Sequence, residues 1–247
     1  GTDTLVFTTG GPPSSFNLAS HGFELAEGRF AVSGATFTDL YDGQWRLSQE
    51  VGNASNGSSW FIDWDETSSV PYQRLNQDFD ASDQLTHEYG LSDNGSTWDT
   101  FFDTDGTHPY VSILQVHTAG GVYANEHGIN DNGSTWDTFF DVDGANPFQW
   151  IQQVRDAFGV LAQEEGLADG GTSWFTDYDE TGTTDYVFYQ NVYDTLNRLS
   201  FQNGQYDTGF TWTIDYDETE TQPWTSIRND YDDHGVLIGT TTILDGP

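Results

Sequence analysis

Acidic residues recur in short loops, where their oxygen atoms could hold a metal ion. Two stretches read DTDGTHP (103–109) and DVDGANP (141–147), and each sets two aspartates beside a glycine. Such a run is typical of the start of a calcium loop, although Ca²⁺ needs six to eight oxygen ligands in all. The alternative is an acidic turn in which the aspartate caps its own backbone. The sequence leaves both alternatives open and predicts that any Ca²⁺ is bound by Asp103, Asp105, Asp141 and Asp143.

Aromatic residues form a second set of candidate functional side chains. An exposed ring can stack on a sugar while nearby carboxylates and amides bind its hydroxyls. One recurring column consists of Trp60, Trp98, Trp136, Trp174 and Trp212. We interpret this column as core, because one Trp per copy at a fixed position is typical of packing. The ligand-binding hypothesis therefore rests on the aromatic column that begins the third strand of each copy, which is Tyr72, Tyr110, Phe148, Tyr186 and Trp224.

The sequence does not identify a catalytic site. A glycosidase needs an asymmetric pair of carboxyl groups, one of them with a raised pKa. The chain has 40 acidic residues, and no position breaks the repeat as a catalytic centre would. The six histidines are scattered, and the absence of cysteine excludes a thiol nucleophile or a Cys-ligated zinc ion. No catalytic residue is assigned.

A 38-residue step separates successive members of the first tryptophan column, so the chain contains five copies of one unit. Such a chain folds as a stacked or ringed array. We expect one β-repeat domain over 1–247, with residues 1–40 as an N-terminal cap or closing strands. The copies are 41–78, 79–116, 117–154, 155–192 and 193–230, followed by a partial sixth copy at 231–247.

The sequence of each copy predicts three strands. The first carries an apolar or aromatic residue at Leu47 and its equivalents, and the second alternates around the Trp with period two. Gly and Asn-Gly between them indicate a turn with positive φ. The third strand follows a proline in four of five copies. The stretch FQWIQQVRDAFGVLAQEEG is ambiguous, and we read it as strand, turn, strand because its equivalents are.

Three strands per copy bear on the architecture. In one continuous up-and-down sheet, an odd number would turn every second copy to the other face. A β-propeller, with each copy a small radial sheet, avoids this, and the split sixth copy would close the ring. We therefore expect an all-β, propeller-like fold. A β-solenoid and an open curved sheet are the alternatives.

The net charge of −34 restricts the partners. Aromatic residues make up 15% of the chain, which argues against disorder and makes the charge a surface property of a folded body. Such a surface repels phosphate, so nucleic acid and anionic membranes are poor partners. No apolar run is long enough for membrane insertion.

A family resemblance lies at the copy junctions. The stretches YDGQWRLSQEVG (41–52), YDTLNRLSFQNG (193–204) and YDDHGVLIG (231–239) resemble the YD repeat of bacterial Rhs-type and wall-associated proteins. His117-Thr118 and Arg155-Asp156 depart from its opening pair. The resemblance implies a secreted bacterial β-repeat context.

Together these features predict a non-enzymatic, extracellular or cell-surface module that binds a glycan or another extracellular partner, with Ca²⁺ as a candidate cofactor. Two alternatives stay open. One is a purely structural spacer or stalk of a large adhesin, and the other is an enzyme acting on polysaccharide. Equivalent sites in several copies would favour a binder, and one distinct cleft would favour an enzyme.

Overall fold

The computed structural model describes residues 4–7, 25–32, 35–42, 44, 46–65 and 68–244, and all the regular structure in these ranges is β-strand. The expectation of an all-β repeat is confirmed. The chain divides into two compact units, Gly1–Tyr123 and Ala124–Pro247. Before the first copy lie β1 (Thr4–Phe7), β2 (Leu25–Val32) and β3 (Ala35–Tyr41).

Each copy contains the three strands that its sequence predicts. The first strands are β4 (Leu47–Ala54), β7 (Leu85–Ser92), β10 (Tyr123–Asn130), β13 (Leu161–Ala168) and β16 (Leu199–Tyr206). The second strands are β5 (Ser59–Trp64), β8 (Thr97–Phe102), β11 (Thr135–Phe140), β14 (Ser173–Tyr178) and β17 (Thr211–Tyr216). The third strands are β6 (Tyr72–Phe79), β9 (Tyr110–His117), β12 (Phe148–Arg155), β15 (Tyr186–Tyr193) and β18 (Trp224–Tyr231).

The partial sixth copy supplies one more first strand, β19 (Leu237–Leu244). The ambiguous stretch around residue 157 is a strand, a turn and a strand, as its equivalents indicated. Where a proline precedes the third strand, the strand begins at the next residue, as after Pro71 and Pro109. The glycine of the first turn has a positive φ, for example 91° at Gly57, which confirms the turn prediction.

Strands pair in chain order within each unit. In the first unit β1 runs parallel to β2, and β2 to β9 form an antiparallel series. In the second unit β10 to β19 do the same. The third strand of one copy therefore pairs with the first strand of the next, as β6 does with β7. Copies within a unit share one sheet, and the separate radial blades of a propeller are not shown.

Equivalent residues of neighbouring copies lie on opposite faces of this sheet. Trp60 pairs with Asp78, and Asp78 pairs with His87. Gly90 follows His87 by three residues and pairs with Trp98, so Trp98 lies on the face opposite to Trp60. By the same register in the second unit, Trp174 lies opposite to Trp136 and Trp212. Sequence reasoning disfavoured this arrangement, and the structure contains it.

Each unit is a single layer, which explains an unusual burial pattern. Within a unit, every described strand contacts only the strands beside it in the sheet. Among the described strands of one unit there is no second layer on either face, so all six residues of β5 are half-buried instead of alternating between buried and exposed. The most regular buried position is a glycine in the first strand of every copy, starting with Gly52. Packing is therefore built across neighbouring strands on the sheet surface.

Candidate functional site

The repeated tryptophan lies against the repeated glycine of the strand beside it. Gly52 pairs with Trp60, and a Cβ added to Gly52 would stand 1.9 Å from Cζ2 of the indole. The equivalent distances to Cζ2 are 1.9 Å at Gly90, 2.0 Å at Gly128, 2.4 Å at Gly166 and 2.8 Å at Gly204. Any side chain at these positions would displace the indole. The interpretation of the five tryptophans as packing residues is confirmed, and the packing also accounts for the glycine column.

A glutamate in the first strand fixes the orientation of the indole. The Nε1 atom of Trp60 donates to Glu50 at 2.6 Å, and that of Trp136 donates to Glu126 at 2.9 Å. Trp98 and Trp174 make the same bond at 3.2 Å to Glu88 and Glu164. The recurring glutamate is therefore a cross-strand partner of the tryptophan.

The fifth copy departs from this arrangement. Gln202 replaces the glutamate, and it accepts from the Tyr216 hydroxyl while its amide donates to Asn191. The guanidinium of Arg228 lies 5.4 Å from the centre of the Trp212 ring, on which it makes a cation–π contact. In this copy an arginine therefore contacts the face of the indole, whereas in four other copies a glutamate binds its Nε1 atom.

One position breaks the repeat at the start of the array. In two described copies a third-strand glutamine donates to the glutamate, Gln77 to Glu88 at 2.9 Å and Gln153 to Glu164 at 3.0 Å. Asp39 stands 38 residues before Gln77 and pairs with Glu50, so two carboxyl groups face each other there. Asp39 is only 7% exposed. Burial, followed by the charge of Glu50, raises the pKa of Asp39 to about 6.

Asp39 is a residue that sequence reasoning missed. Its signal was available, because β3 falls in the register of the third strands and the 38-residue step reaches back into residues 1–40. The Tyr41 hydroxyl donates to Asp39 Oδ2 at 3.2 Å, whereas Oδ1 has no hydrogen-bond partner among the described residues. A raised pKa beside a second carboxylate is a property of acid–base sites, but neither groove described below includes Asp39.

A shallow groove of about 400 Å³ surrounds one repeated tryptophan. Its walls combine an indole, a carboxylate, hydroxyl groups and two aliphatic side chains, from Glu88, Ser92, Ser96, Thr97, Trp98, Thr100, Leu114 and Val116. Strands β7, β8 and β9 supply these residues, together with the Asn-Gly turn between β7 and β8. A ring beside several neutral hydrogen-bonding groups is the composition that binds sugars.

A second groove of about 490 Å³ lies in the last copy and reaches β19. It is lined by Tyr206, Thr208, Phe210, Thr211, Asp230, Tyr231, Ile238 and Gly239. Neither groove contains the aromatic column on which the ligand-binding hypothesis rested.

That aromatic column begins the third strands, and its members are half-buried. The Tyr72 hydroxyl donates to Asp63 at 2.8 Å, and the Tyr186 hydroxyl donates to Asp177 at 2.9 Å. The bond to Asp63, together with burial, raises the pKa of Tyr72 to about 12. The ring of Tyr110 packs against that of His108, with ring centres 5.2 Å apart. These tyrosines are engaged within their own copies.

The Asp-x-Asp-Gly loops bring the predicted metal ligands together in pairs. Asp103 and Asp105 both accept the backbone N–H of Thr107, at 3.2 and 3.1 Å, and Asp103 also accepts that of His108 at 2.9 Å. Ligand atoms of Asp103, Asp105 and His108 lie within 4.8 Å of one another. The bond from the His108 backbone is the main reason why the pKa of Asp103 lies below its usual value.

The second such loop has the same backbone bonds without the histidine. Asp141 and Asp143 both accept from the Ala145 N–H, at 3.2 and 3.1 Å, and Asp141 accepts from Asn146 at 3.0 Å. Copies without the Asp-x-Asp-Gly run make equivalent bonds, since Asp65 accepts from Val70 at 3.0 Å. The first aspartate therefore caps its own loop in both kinds of copy, as the alternative interpretation expected.

The aspartate of the Tyr-Asp pair caps the turn between copies. Asp42 accepts the N–H groups of Gln44 and Arg46, and Asp194 accepts those of Leu196 and Arg198. Asp80 makes the same two bonds after Phe79, in a copy that lacks the tyrosine. In the third copy the Thr118 hydroxyl accepts from Val122 at 3.2 Å instead. Turn geometry thus explains the motif that carried the family resemblance. The last such turn also holds a cluster that sequence reasoning missed, formed by Asp232, Asp233 and His234.

Comparison with known proteins adds no family. No family model matches the chain, and no curated protein matches it. A solved structure of a eukaryotic initiation factor aligns at 6% identity and a TM-score of 0.20, over 90% of this chain and 63% of that one. Human WBSCR16 aligns at 10% identity and a TM-score of 0.15, over 74% and 60%. The chain thus spans less than two thirds of either protein, and TM-scores this low do not indicate a shared fold. In the described residues there is no helix that could cross a membrane.

Proposed function

We propose that the chain is a non-enzymatic, extracellular β-repeat module that binds a neutral glycan on the surface of its sheet. The observation that carries the proposal is the groove at Trp98, in which an indole lies beside Ser92, Ser96 and Thr100. An aromatic wall binds the apolar face of a sugar ring, and hydroxyl groups bind its polar edge. Glu88 adds a carboxylate acceptor that already holds the indole.

A neutral ligand suits the charge of the chain. At a net charge of −34, an acidic polysaccharide would be repelled over the distances at which charges act in water. A neutral sugar has no such cost, and it can donate hydroxyl hydrogens to the abundant carboxylates.

The test is a neutral-glycan array followed by calorimetry on the ligand it identifies. Thr100→Arg fills the groove, while Phe101→Arg puts the same side chain on the neighbouring residue, whose ring stacks on His87 on the other face. We expect Thr100→Arg to weaken binding at least about tenfold and Phe101→Arg to leave it within about twofold. Absence of any bound neutral glycan, or equal effects of the two variants, would refute the proposal.

The proposal includes Ca²⁺ at the Asp103/Asp105 and Asp141/Asp143 loops. Its support is the pairing of two carboxylates per loop, which are hard oxygen donors of the kind that Ca²⁺ prefers. His108 adds a nitrogen in the first loop only, so a metal that prefers nitrogen would distinguish the two loops.

A structural spacer is the second candidate, and one observation favours it. The three kinds of turn in a copy are capped by their own Asp or Asn side chains, as at Asp80, Asn94 and Asp103. Loops whose polar groups already have partners within the chain need no ligand, and this suits a spacer whose role is to hold other parts of a protein apart. A spacer predicts that the array experiment finds no ligand at any copy.

A further inference from the structure

The groove at Trp98 lies where the repeat is broken at one position of the third strand. The second strands of copies two, three and four carry a threonine two residues after the tryptophan, at Thr100, Thr138 and Thr176. In copies three and four a third-strand glutamine donates to this hydroxyl, Gln152 to Thr138 at 2.8 Å and Gln190 to Thr176 at 3.0 Å. Thr138 is 7% exposed and Thr176 is 3% exposed. The glutamine amide therefore takes the place at the hydroxyl that a ligand would need.

Copy two has an apolar residue in place of that glutamine. Leu114 pairs with Thr100, and a leucine side chain cannot donate to a hydroxyl. Thr100 is half-buried and lines the groove at Trp98, and its hydroxyl has no hydrogen-bond partner among the described residues. Such a hydroxyl can bond to a ligand without first breaking a bond within the protein. Leu114 thus leaves a hydrogen-bonding group and an apolar surface in the same groove as the indole.

The first and fifth copies lack this hydroxyl. Ile62 and Ile214 stand at the position of the threonine, opposite Asn76 and Arg228. The Arg228 guanidinium also lies on the Trp212 ring. Among the five copies, whose second strands the structure describes in full, only copy two has this threonine without a third-strand partner for its hydroxyl.

Copy three repeats most of the groove at Trp98. Six of the eight lining residues recur 38 residues later without a change, and they are Glu126, Ser134, Thr135, Trp136, Thr138 and Val154. The tryptophan makes the same bond to the glutamate in both copies. The side chains that compose the candidate sugar site are therefore nearly all present twice.

Two lining residues differ between these copies, and both differences engage a hydroxyl in copy three. Ser92 corresponds to Asn130, which donates to the Ser134 hydroxyl at 2.9 Å. Leu114 corresponds to Gln152, whose amide holds the threonine hydroxyl. In copy three, side-chain amides of the protein therefore occupy two hydroxyl groups.

We propose that Leu114 determines where glycan binds, so that copy two carries the single glycan site of the chain, while Gln152 and Gln190 block the equivalent positions. This inference rests on the proposed function and adds the number of sites and the residue that selects among the copies. The sugar places a hydroxyl on Thr100 and a C–H face on the indole and on Leu114. Glu88 is the one carboxylate among the lining residues, whereas a glycosidase needs two, so a single site here does not imply catalysis.

Short neutral oligosaccharides of hexoses and N-acetylhexosamines, first printed as an array and then titrated in calorimetry, test the site on the complete chain. We expect about one binding site per chain. Leu114→Gln installs the side chain that copies three and four accommodate at this position, and it should weaken binding at least about tenfold. Leu114→Met is the matched control, because methionine is similar in size and cannot donate to Thr100. It should leave the affinity within about threefold.

A gain of binding tests the same inference in copy three. Asn130→Ser combined with Gln152→Leu makes all eight lining positions identical to those of copy two. We expect this double variant to bind about two oligosaccharides per chain. Adding Thr138→Arg to the double variant fills the new groove and should return the number to about one.

The outcomes separate this inference from the proposed function. No bound oligosaccharide with the unaltered chain would refute the proposed function and this inference with it. Three other results would overturn the inference and leave the proposed function standing. They are binding that Thr100→Arg weakens but Leu114→Gln does not, more than about one site in the unaltered chain, and no second site in the double variant of copy three.

Discussion

At the scale of single residues, the chain is organised around a contact between tryptophan and glycine that recurs in the five complete copies, and in four of them a glutamate joins it. An indole lies on a glycine and, in four copies, donates to a glutamate two residues before that glycine. The contact needs no second layer, because the tryptophan covers the backbone of its own sheet. Glycine is weak in a strand by itself, since it has no side chain to pack. Here its missing side chain makes room for the largest one.

Replacing one of these glycines should lower the free energy of unfolding, because the new side chain displaces the indole. In Gly128→Ala the new Cβ would stand 2.0 Å from the Trp136 ring, so the indole must move off the sheet and away from Glu126. We expect a loss of about 2 kcal/mol in the free energy of unfolding, measured by urea denaturation.

The matched control for Gly128→Ala is Gly170→Ala in the same unit. A Cβ at Gly170 would meet nothing within 4 Å, and its φ is not positive. This change should be neutral or stabilise by about 0.5 kcal/mol through the unfolded state. Equal effects at the two glycines would mean that the indole does not occupy the space above Gly128.

Asp39 gives a pH dependence of definite sign. Its pKa in the folded chain is about 6, above the ordinary 3.8, so its contribution to stability is complete below about pH 3.8 and is lost as the pH rises through about 6. Asp39→Asn supplies an amide that can donate to Glu50, as Gln77 does to Glu88. We expect Asp39→Asn to stabilise the chain by on the order of 1 kcal/mol near pH 7.5 and to have little effect near pH 4.

Chemical denaturation at those two pH values measures this difference. Asp93→Asn, at an exposed turn, removes the same charge without changing the Asp39–Glu50 pair. A stabilisation by Asp93→Asn as large as that by Asp39→Asn would assign the effect to net charge alone.

At the scale of strands and turns, acidic side chains mainly serve the turns. Aspartate caps both the junction turn, as at Asp80, and the loop before the third strand, as at Asp179. The bond with Thr184 lowers the pKa of Asp179, and bonds with Arg198 lower that of Asp194. Groups with lowered pKa values stabilise the fold above their ordinary pKa and lose this effect as the pH falls, which is opposite to Asp39.

Calcium binding is predicted at this scale. Asp103→Ala combined with Asp141→Ala should abolish the Ca²⁺ heat in calorimetry, because each removes the first carboxylate of a paired loop. The control is Asp65→Ala combined with Asp217→Ala, which removes the equivalent aspartates from two Asp-Glu-Thr loops. An unchanged stoichiometry in the first double variant would assign these loops to turn capping only.

Much of the strand pattern was predictable from the sequence, because the features that determine it are local. Asn-Gly and proline mark the turns, and the tryptophan step marks the register. The connection between copies was not predictable, since the turn after Phe79 can join two blades or two strands of one sheet. The groove at Trp98 was missed because it combines residues from three strands, and Asp39 because the repeat was not followed before residue 41.

At the scale of the whole molecule, the net charge of −34 is the dominant property. Self-repulsion opposes folding, and salt screens it over a Debye length of about 8 Å at physiological ionic strength. We expect the melting temperature to rise with NaCl, and to rise further with CaCl₂ at matched ionic strength. Equal shifts with CaCl₂ and MgCl₂, measured by scanning calorimetry, would assign the second effect to screening.

The odd number of strands per copy also constrains how such a gene can grow. Duplicating one copy inside the second unit would add three strands, and every tryptophan after the insertion would change sides. Duplicating two copies would add six strands and shift the following surface by about 29 Å along the sheet without inverting it. Relatives whose function requires a residue on one face of the sheet should therefore gain and lose copies in pairs. Relatives in which only the length of the array matters should show no such preference.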